Sequence, residues 1–270
     1  NTDGGFVIDD DGEARGFVVQ TGEKVYVSYR LEATDPGGHS SVPRADSAIS
    51  RIARTLVALQ EHRFPVDLNE TTRVFFERSV ASLPAPQAEL IDAVLAGDTG
   101  KDVSRQLDAM PYFNALLRTT CIATMIAGGH AENAIPQTAT ATVNCRVLPQ
   151  FGEESVRGVL VSMAAPNDVT VSRIYPFRPS PPSPLTPAII GPITDVAQEF
   201  WPGITILPEM STGATDGLFV RNAGIPVYAV SAIQEDPDDI RAHGQDERIG
   251  IEAFERATDY WYRLVRHLSQ

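Results

Sequence analysis

Two ten-residue stretches constrain this chain most. Across residues 24–33, Val25, Val27, Tyr29, Leu31 and Ala33 fall on one side of an extended chain, with Tyr26, Ser28, Arg30 and Glu32 on the other. Across residues 138–147, Ala139, Ala141, Val143, Cys145 and Val147 oppose Thr138, Thr140, Thr142, Asn144 and Arg146. A period of two marks a strand with one buried face. That face needs a helical cover, and the sequence offers two. One helix starts near Asp46 with Ile49, Ile52, Ala53, Leu56 and Val57 on one face, and a second spans residues 153–163. Strand character also runs through residues 117–126 and 169–174. Residues 66–116 form a helical insertion, with helical stretches at 88–95 and 103–110 broken by Pro84, Pro86 and Pro111. With the insertion set aside, the order is strand-helix-strand-strand-helix-strand, the split βαβ or ferredoxin-like arrangement.

Six prolines between Pro176 and Pro187 then read as a stiff connector and a domain boundary. Beyond it come a helix at 188–200, a strand at 205–207, a short helix after Asp216 and a buried strand at 226–231. A last helix carries Ile251, Phe254, Ala257, Trp261, Leu264 and Leu268 on one face. Helix and strand in alternation point to part of a layered α/β sheet. The expected class is therefore α/β with an α+β unit at residues 23–176, flanked by residues 1–22 and 177–270 of a second domain.

The chain has 22 Lys plus Arg against 35 Asp plus Glu, a net charge of -13. That sign argues against nucleic-acid phosphate and an anionic membrane surface as partners. Cys121 and Cys145 both fall in strand-like stretches, outside any Cys-x-x-Cys pair, and are expected to be buried free thiols. No apolar run approaches the ~18 residues of a membrane span. The chain opens without an initiator Met on the polar turn Asn1-Thr2-Asp3-Gly4-Gly5, so the natural start is expected elsewhere and the compartment, cytoplasmic or secreted, stays open.

Chemistry concentrates in four short clusters: Gly37-Gly38-His39-Ser40-Ser41, Asn133-Ala134-Ile135-Pro136, Thr212-Gly213-Ala214-Thr215-Asp216-Gly217 and Ala242-His243-Gly244. Each sets a polar side chain among small residues that let a ligand approach. In order and spacing they resemble the zinc-dependent family of aminoacylase, carboxypeptidase S and glutamate carboxypeptidase. Leu117-Arg118-Thr119-Thr120 and Asn144-Cys145-Arg146-Val147-Leu148-Pro149 resemble most the carboxypeptidase S branch, which includes N-acyl amino acid hydrolases. A Gly-x-Ser-x-Gly elbow, a His-Glu-x-x-His helix and a phosphate-binding glycine loop are all absent, which weakens serine-hydrolase and nucleotide-binding readings.

The resemblance implies a ferredoxin-like lid joined to the C-terminal part of a zinc-peptidase catalytic domain. It implies two zinc ions (cobalt or manganese as alternatives), with Asp3 and His243 as ligands to different ions. It implies His39 as a lid histidine that donates to an oxyanion, reaching the partner subunit's site in a homodimer paired through the lid. Asn133 and Arg146 correspond to a substrate-binding pair, and Thr212, Gly213 and Asp216 to a substrate loop before a helix N-terminus. Leu218 departs from the Arg that many members carry two residues after the Asp. The family's early His-x-Asp motif, bridging Asp and Glu-Glu pair with the general base are expected N-terminal to Asp3 and are not among these residues. The chain is therefore expected to be a fragment, inactive alone, of a hydrolase of dipeptides or N-acyl amino acids. The alternatives are an N-carbamoyl amino acid amidohydrolase on the same scaffold and a non-catalytic dimerisation module.

Overall fold

A computed structural model describes residues 1–8, 13–234, 239, 241 and 244–270. In chain order, β1 (Gly5–Ile8), β2 (Ala14–Glu23), β3 (Val25–Thr34) and the short β4 (Gly38–His39) come first. Five helices follow: α1 (Ala48–Glu61), α2 (Glu70–Ser79), α3 (Ala85–Leu95), α4 (Lys101–Asp108) and α5 (Pro111–Leu117). Then come β5 (Thr120–Gly128), β6 (Ala134–Ile135), β7 (Thr138–Val147), α6 (Glu153–Ala164) and β8 (Thr170–Arg173). The chain closes with α7 (Pro187–Phe200), β9 (Thr205–Ser211), α8 (Gly217–Asn222) and α9 (Ile251–Leu268).

The two alternating stretches are β3 and β7, side by side and antiparallel from Val25 opposite Val147 to Thr34 opposite Thr138. They are the central strands of a four-stranded sheet in the order β5-β7-β3-β8. All its pairings are antiparallel, and two strands that are non-consecutive in sequence lie at the centre, as the split βαβ topology requires. The odd residues of both strands are buried with Ile52 and Leu59 of α1 and Val156 and Leu160 of α6. Each large apolar side chain buried this way contributes roughly 1.5–3 kcal/mol.

A second sheet, β1-β2-β9, pairs β2 with β1 antiparallel and with β9 in parallel. Its residues divide between two layers. Phe17, Val19 and Ile206 pack with Ile193, Val196, Trp201, Tyr260 and Leu264 of the α7–α9 layer. Leu207 and Met210 pack instead with Phe75, Phe76, Ile91 and Leu107 of the α2–α4 segment. The helical insertion thus turns away from the four-stranded sheet and covers the three-stranded one.

Several expectations need correction. Helix α1 begins at Ala48 behind a Ser47–Ser50 capping box, and its buried stripe is Ala48, Ile52, Thr55 and Leu59, leaving Ile49 and Val57 exposed. Asp46 stays outside the helix and pairs with Arg51 and Arg54 at 2.6 Å each. In α9 the buried residues are Ala257, Tyr260 and Leu264, and Ile251, Phe254 and Leu268 are exposed. Residues 117–119 are not strand. Leu117 ends α5, and Arg118 turns inward to donate to Asp108 (2.8 Å), Asn114 (2.9 Å) and Ser104 Oγ (2.6 Å). The expected strand at 226–231 is reduced to one bridge, Gln20 to Ala229.

Cys121 and Cys145 are not free thiols but a disulfide. They are direct partners in the β5–β7 register, with Cα atoms 4.1 Å apart. The proline-rich connector is tied down by hydrogen bonds. Ser183 is buried, its N–H donates to Thr21 O (2.7 Å) and its hydroxyl to Val227 O (2.8 Å).

Candidate active site

The chain passes from the three-stranded to the four-stranded sheet through Lys24 alone, between the end of β2 and the start of β3. Beside this junction lies a cavity of about 1160 Å³, lined in part by Asp3, Tyr26, Thr215, Asp216, Phe219 and Trp261. Asp3 reaches it because the N-terminal segment runs along residues 228–230. The Asn1 amine donates to Tyr228 O (3.2 Å) and Val230 N–H donates to Asn1 O (3.0 Å). The exposed Asp3 carboxylate accepts from Asn1 Nδ2 at 2.8 Å. Residues from opposite parts of the sequence thus share one cleft.

Thr212 and Gly213 are half-buried, whereas Asp216 is exposed. Asp216 occupies the cap position of α8 but makes no capping hydrogen bond, so its carboxylate is not spent on the helix. The neighbouring amides are engaged by side chains. Gly213 N–H goes to Ser211 Oγ (3.0 Å), Thr215 N–H to Glu23 Oε2 (2.6 Å) and Gly217 N–H to Thr215 Oγ1 (3.1 Å). The expected anion grip by loop amides is correspondingly reduced. A Cβ on Gly217 would stand 2.9 Å from Arg221 Nη1, which is why this position carries none.

Arg146 is not among the residues lining that cavity, but its guanidinium keeps an open donor. Its guanidinium lies 4.7 Å from the centroid of the Tyr26 ring, across the β3–β7 pair. Its Nη1 is buried without a partner, and an unpaired buried donor is costly until an acceptor arrives. Lys24 lies close by, fully buried, its Nζ donating to Arg118 O (2.6 Å), Ala115 O (2.9 Å) and Thr120 Oγ1 (3.2 Å). Burial, reinforced by the Arg146 charge, pulls the Lys24 ammonium down to about 7.

His39 and Asn133 meet elsewhere. Strands β4 and β6 pair His39 with Ala134, and Ser40 N–H donates to Asn133 O at 3.0 Å. Gly37, at φ +78, makes the turn possible, since a side chain there would press on Ile135 O. Ser41 N–H donates to His39 Nδ1 (3.2 Å), so in the neutral ring the proton sits on Nε2, and that N–H is the donor. Asn133 and Arg146 do not come together in one chain. Asn133 precedes β7 and Arg146 is near its far end, so the length of the strand separates them. At the usual rise per residue that is roughly 25–30 Å.

His243 lies outside the described residues. Among the described residues no group of three or more His, Cys, Asp and Glu could hold a metal ion, so they do not by themselves build a metal centre. No described helix is long and apolar enough to cross a membrane.

Residues 21–169 match the M20 peptidase dimerisation domain. The chain belongs to the M20 metallopeptidase family. It is 27% identical to human N-fatty-acyl-amino acid synthase/hydrolase PM20D1 over 98% of its own length and 54% of that protein's. It is 28% identical to the probable carboxypeptidase S-like 2 of Dictyostelium discoideum, over 92% of this chain and 48% of the relative. The chain spans about half the length of these relatives. Among solved structures, the M20 metallo-carboxypeptidase Sso-CP2 of Sulfolobus solfataricus superposes with a TM-score of 0.65 at 18% identity, over 97% of this chain and 62% of that one. The di-peptidase Dug1p of Saccharomyces cerevisiae gives 0.63 at 13% identity, over 99% and 58%. At these identities the likeness is one of fold, the mixed α/β architecture described above.

Lys24, Tyr26, Glu23 and Arg221 escaped the sequence analysis. Glu23 and Arg221 meet across 198 residues with no local motif to announce them. Lys24 and Tyr26 lie in a stretch that alternates as an ordinary strand.

Proposed function

We propose that this chain is the lid and the C-terminal part of the catalytic domain of a metal-dependent hydrolase that cleaves an amide bond in N-acyl amino acids or dipeptides. Residues 23–176 are the lid, with the insertion at about 66–116, and residues 1–22 and 177–270 belong to the catalytic domain. The observation that carries this is the convergence of Asp3 and residues 214–217 on one cavity, which Thr212 and Gly213 do not line. The names of the human and Dictyostelium relatives support the substrate class.

Arg146 is the anchor for the substrate carboxylate, supported by its unpartnered Nη1. His39 donates Nε2–H to the carbonyl oxygen as negative charge develops, and Asn133 hydrogen-bonds the substrate beside it. Strand length keeps these two far from Arg146, which favours catalysis across a homodimer in which one protomer's His39 and Asn133 serve its partner's site. The exposed edge strand β5, with Ile122, Met125 and Ile126 each about two-thirds exposed, supports pairing through the lid. Two zinc ions (or cobalt or manganese) are the proposed cofactor, with Asp3 and His243 as this chain's ligands. Bound metal would polarise the carbonyl and supply a reactive water. The residues of this chain bind, orient and donate.

The test is turnover by the full-length protein on N-acyl amino acids, dipeptides and N-carbamoyl amino acids, with and without a chelator. Chelator-sensitive hydrolysis of either of the first two supports the proposal. Turnover of carbamoyl compounds alone reassigns the substrate, and none on any of the three leaves a non-catalytic dimerisation module.

A further inference from the structure

Glu23 is 1% exposed and Arg221 3%, and their side chains meet at 2.6 Å. A buried ion pair is an expensive way to fill space, since apolar residues of the same volume do it at less cost. Its geometry here is specific. Glu23 Oε1 accepts from Arg221 Nη2 (2.6 Å) and from the Ser180 hydroxyl (3.2 Å), which itself accepts from Arg221 Nη2 (3.1 Å). Glu23 Oε2 is left for one partner, the Thr215 N–H at 2.6 Å. One carboxylate therefore holds three segments: the β2–β3 junction, the proline-rich connector through Ser180, and the loop at 212–217. The first two are the places where the chain passes between the two sheets. Further bonds run alongside, Lys24 N–H to Ser211 O (2.9 Å) and Asn222 Nδ2 to Pro179 O (2.8 Å).

We infer that Glu23 and Arg221 are positioning residues that fix the 212–217 loop against both sheet crossings, and so set the affinity for substrate. This rests on the proposed role of that loop. The loop cannot slide without breaking a part-buried, charge-assisted hydrogen bond at Thr215. Gly217 lets the Arg221 guanidinium pass directly beneath the loop.

The experiment uses the full-length protein carrying Glu23→Gln with Arg221→Gln, which removes both charges so that neither is left unpaired. Ser180→Ala is the milder companion, folding where the double variant does not. Amide hydrogen exchange of residues 212–222 and steady-state kinetics on an N-acyl amino acid are measured together. The double variant is expected to exchange at Thr215 about tenfold faster and to raise KM about tenfold, with kcat within about threefold. Ser180→Ala should move both in the same direction by less. Unchanged exchange at Thr215 in a folded variant overturns the clamp, and faster exchange with unchanged KM overturns its positioning role. If the unmodified protein turns over no amide, the exchange result still decides the clamp, and the failure falls on the proposed function alone.

Discussion

Reducing the Cys121–Cys145 bond perturbs the unfolded chain far more than the folded one. The bond joins direct partners of the β5–β7 ladder, so the strands stay paired by their hydrogen bonds when it opens. Its cost appears when the chain unfolds, because the link closes a loop between residues 24 apart. Loop-closure entropy for that length comes to about 3.5 kcal/mol at 25 °C. With a urea m-value of about 3 kcal/mol/M, the unfolding midpoint should fall by about 1 M on adding dithiothreitol. The m-value itself should rise slightly, since the uncrosslinked chain exposes more surface. Far-UV circular dichroism against urea, with and without reductant, measures both. The reasoning fails if two thiols titrate in the unfolded, unreduced protein, or if reductant leaves the midpoint where it was. A bond of this kind persists in oxidising surroundings, so material made under reducing conditions should show the lower midpoint from the start.

Other outcomes follow from the site. His39→Ala should lower kcat in the full-length enzyme by about 10²–10³ with little change in KM; mixing it with an Arg146→Ala protein should restore part of the activity if one protomer's histidine serves the other's site, and no recovery after subunit exchange would count against that. Ile126→Lys, on the exposed edge strand, should shift the sedimentation coefficient to that of a monomer, and an unchanged dimer would move the interface elsewhere. Lys24 binds its proton up to about pH 10.5 when unfolded but only to about 7 when folded, so stability should climb between those values and be flat in this respect below pH 7. Against Lys24→Met the difference should span at most about 5 kcal/mol, less to the extent that its three oxygen acceptors favour the ammonium, and parallel stability curves for the two proteins from pH 7 to 10 would refute it.

The fold was legible where periodicity was clean. Strands β3 and β7 stand where their alternation puts them, because one face meets helices and the other does not. Periodicity places helix α1 to within a turn but its buried face about one position off, since Ile49 and Val57 are apolar yet exposed. The stretch at 226–231 is apolar enough for a strand, but its described backbone pairing is a single bridge. The disulfide was missed because register is a property of two strands, and neither sequence shows which residue of the other it faces. In the sequence, short glycine-flanked clusters single out His39, Asn133 and the 212–217 loop as candidates. The Glu23–Arg221 pair had no such marker, because a buried ion pair is specified by tertiary contact alone. The resemblance pairs Asn133 with Arg146, but the extended strand β7 between them turns sequence spacing into distance.

Zinc stoichiometry most directly tests whether Asp3 and His243 help build one metal centre. The full-length protein and its Asp3→Asn and His243→Asn variants would be measured by elemental analysis after desalting. About two zinc ions per chain are expected in the unmodified protein, falling by about one in each variant while the unfolding curves superimpose. Variants that retain the full metal content would contradict it.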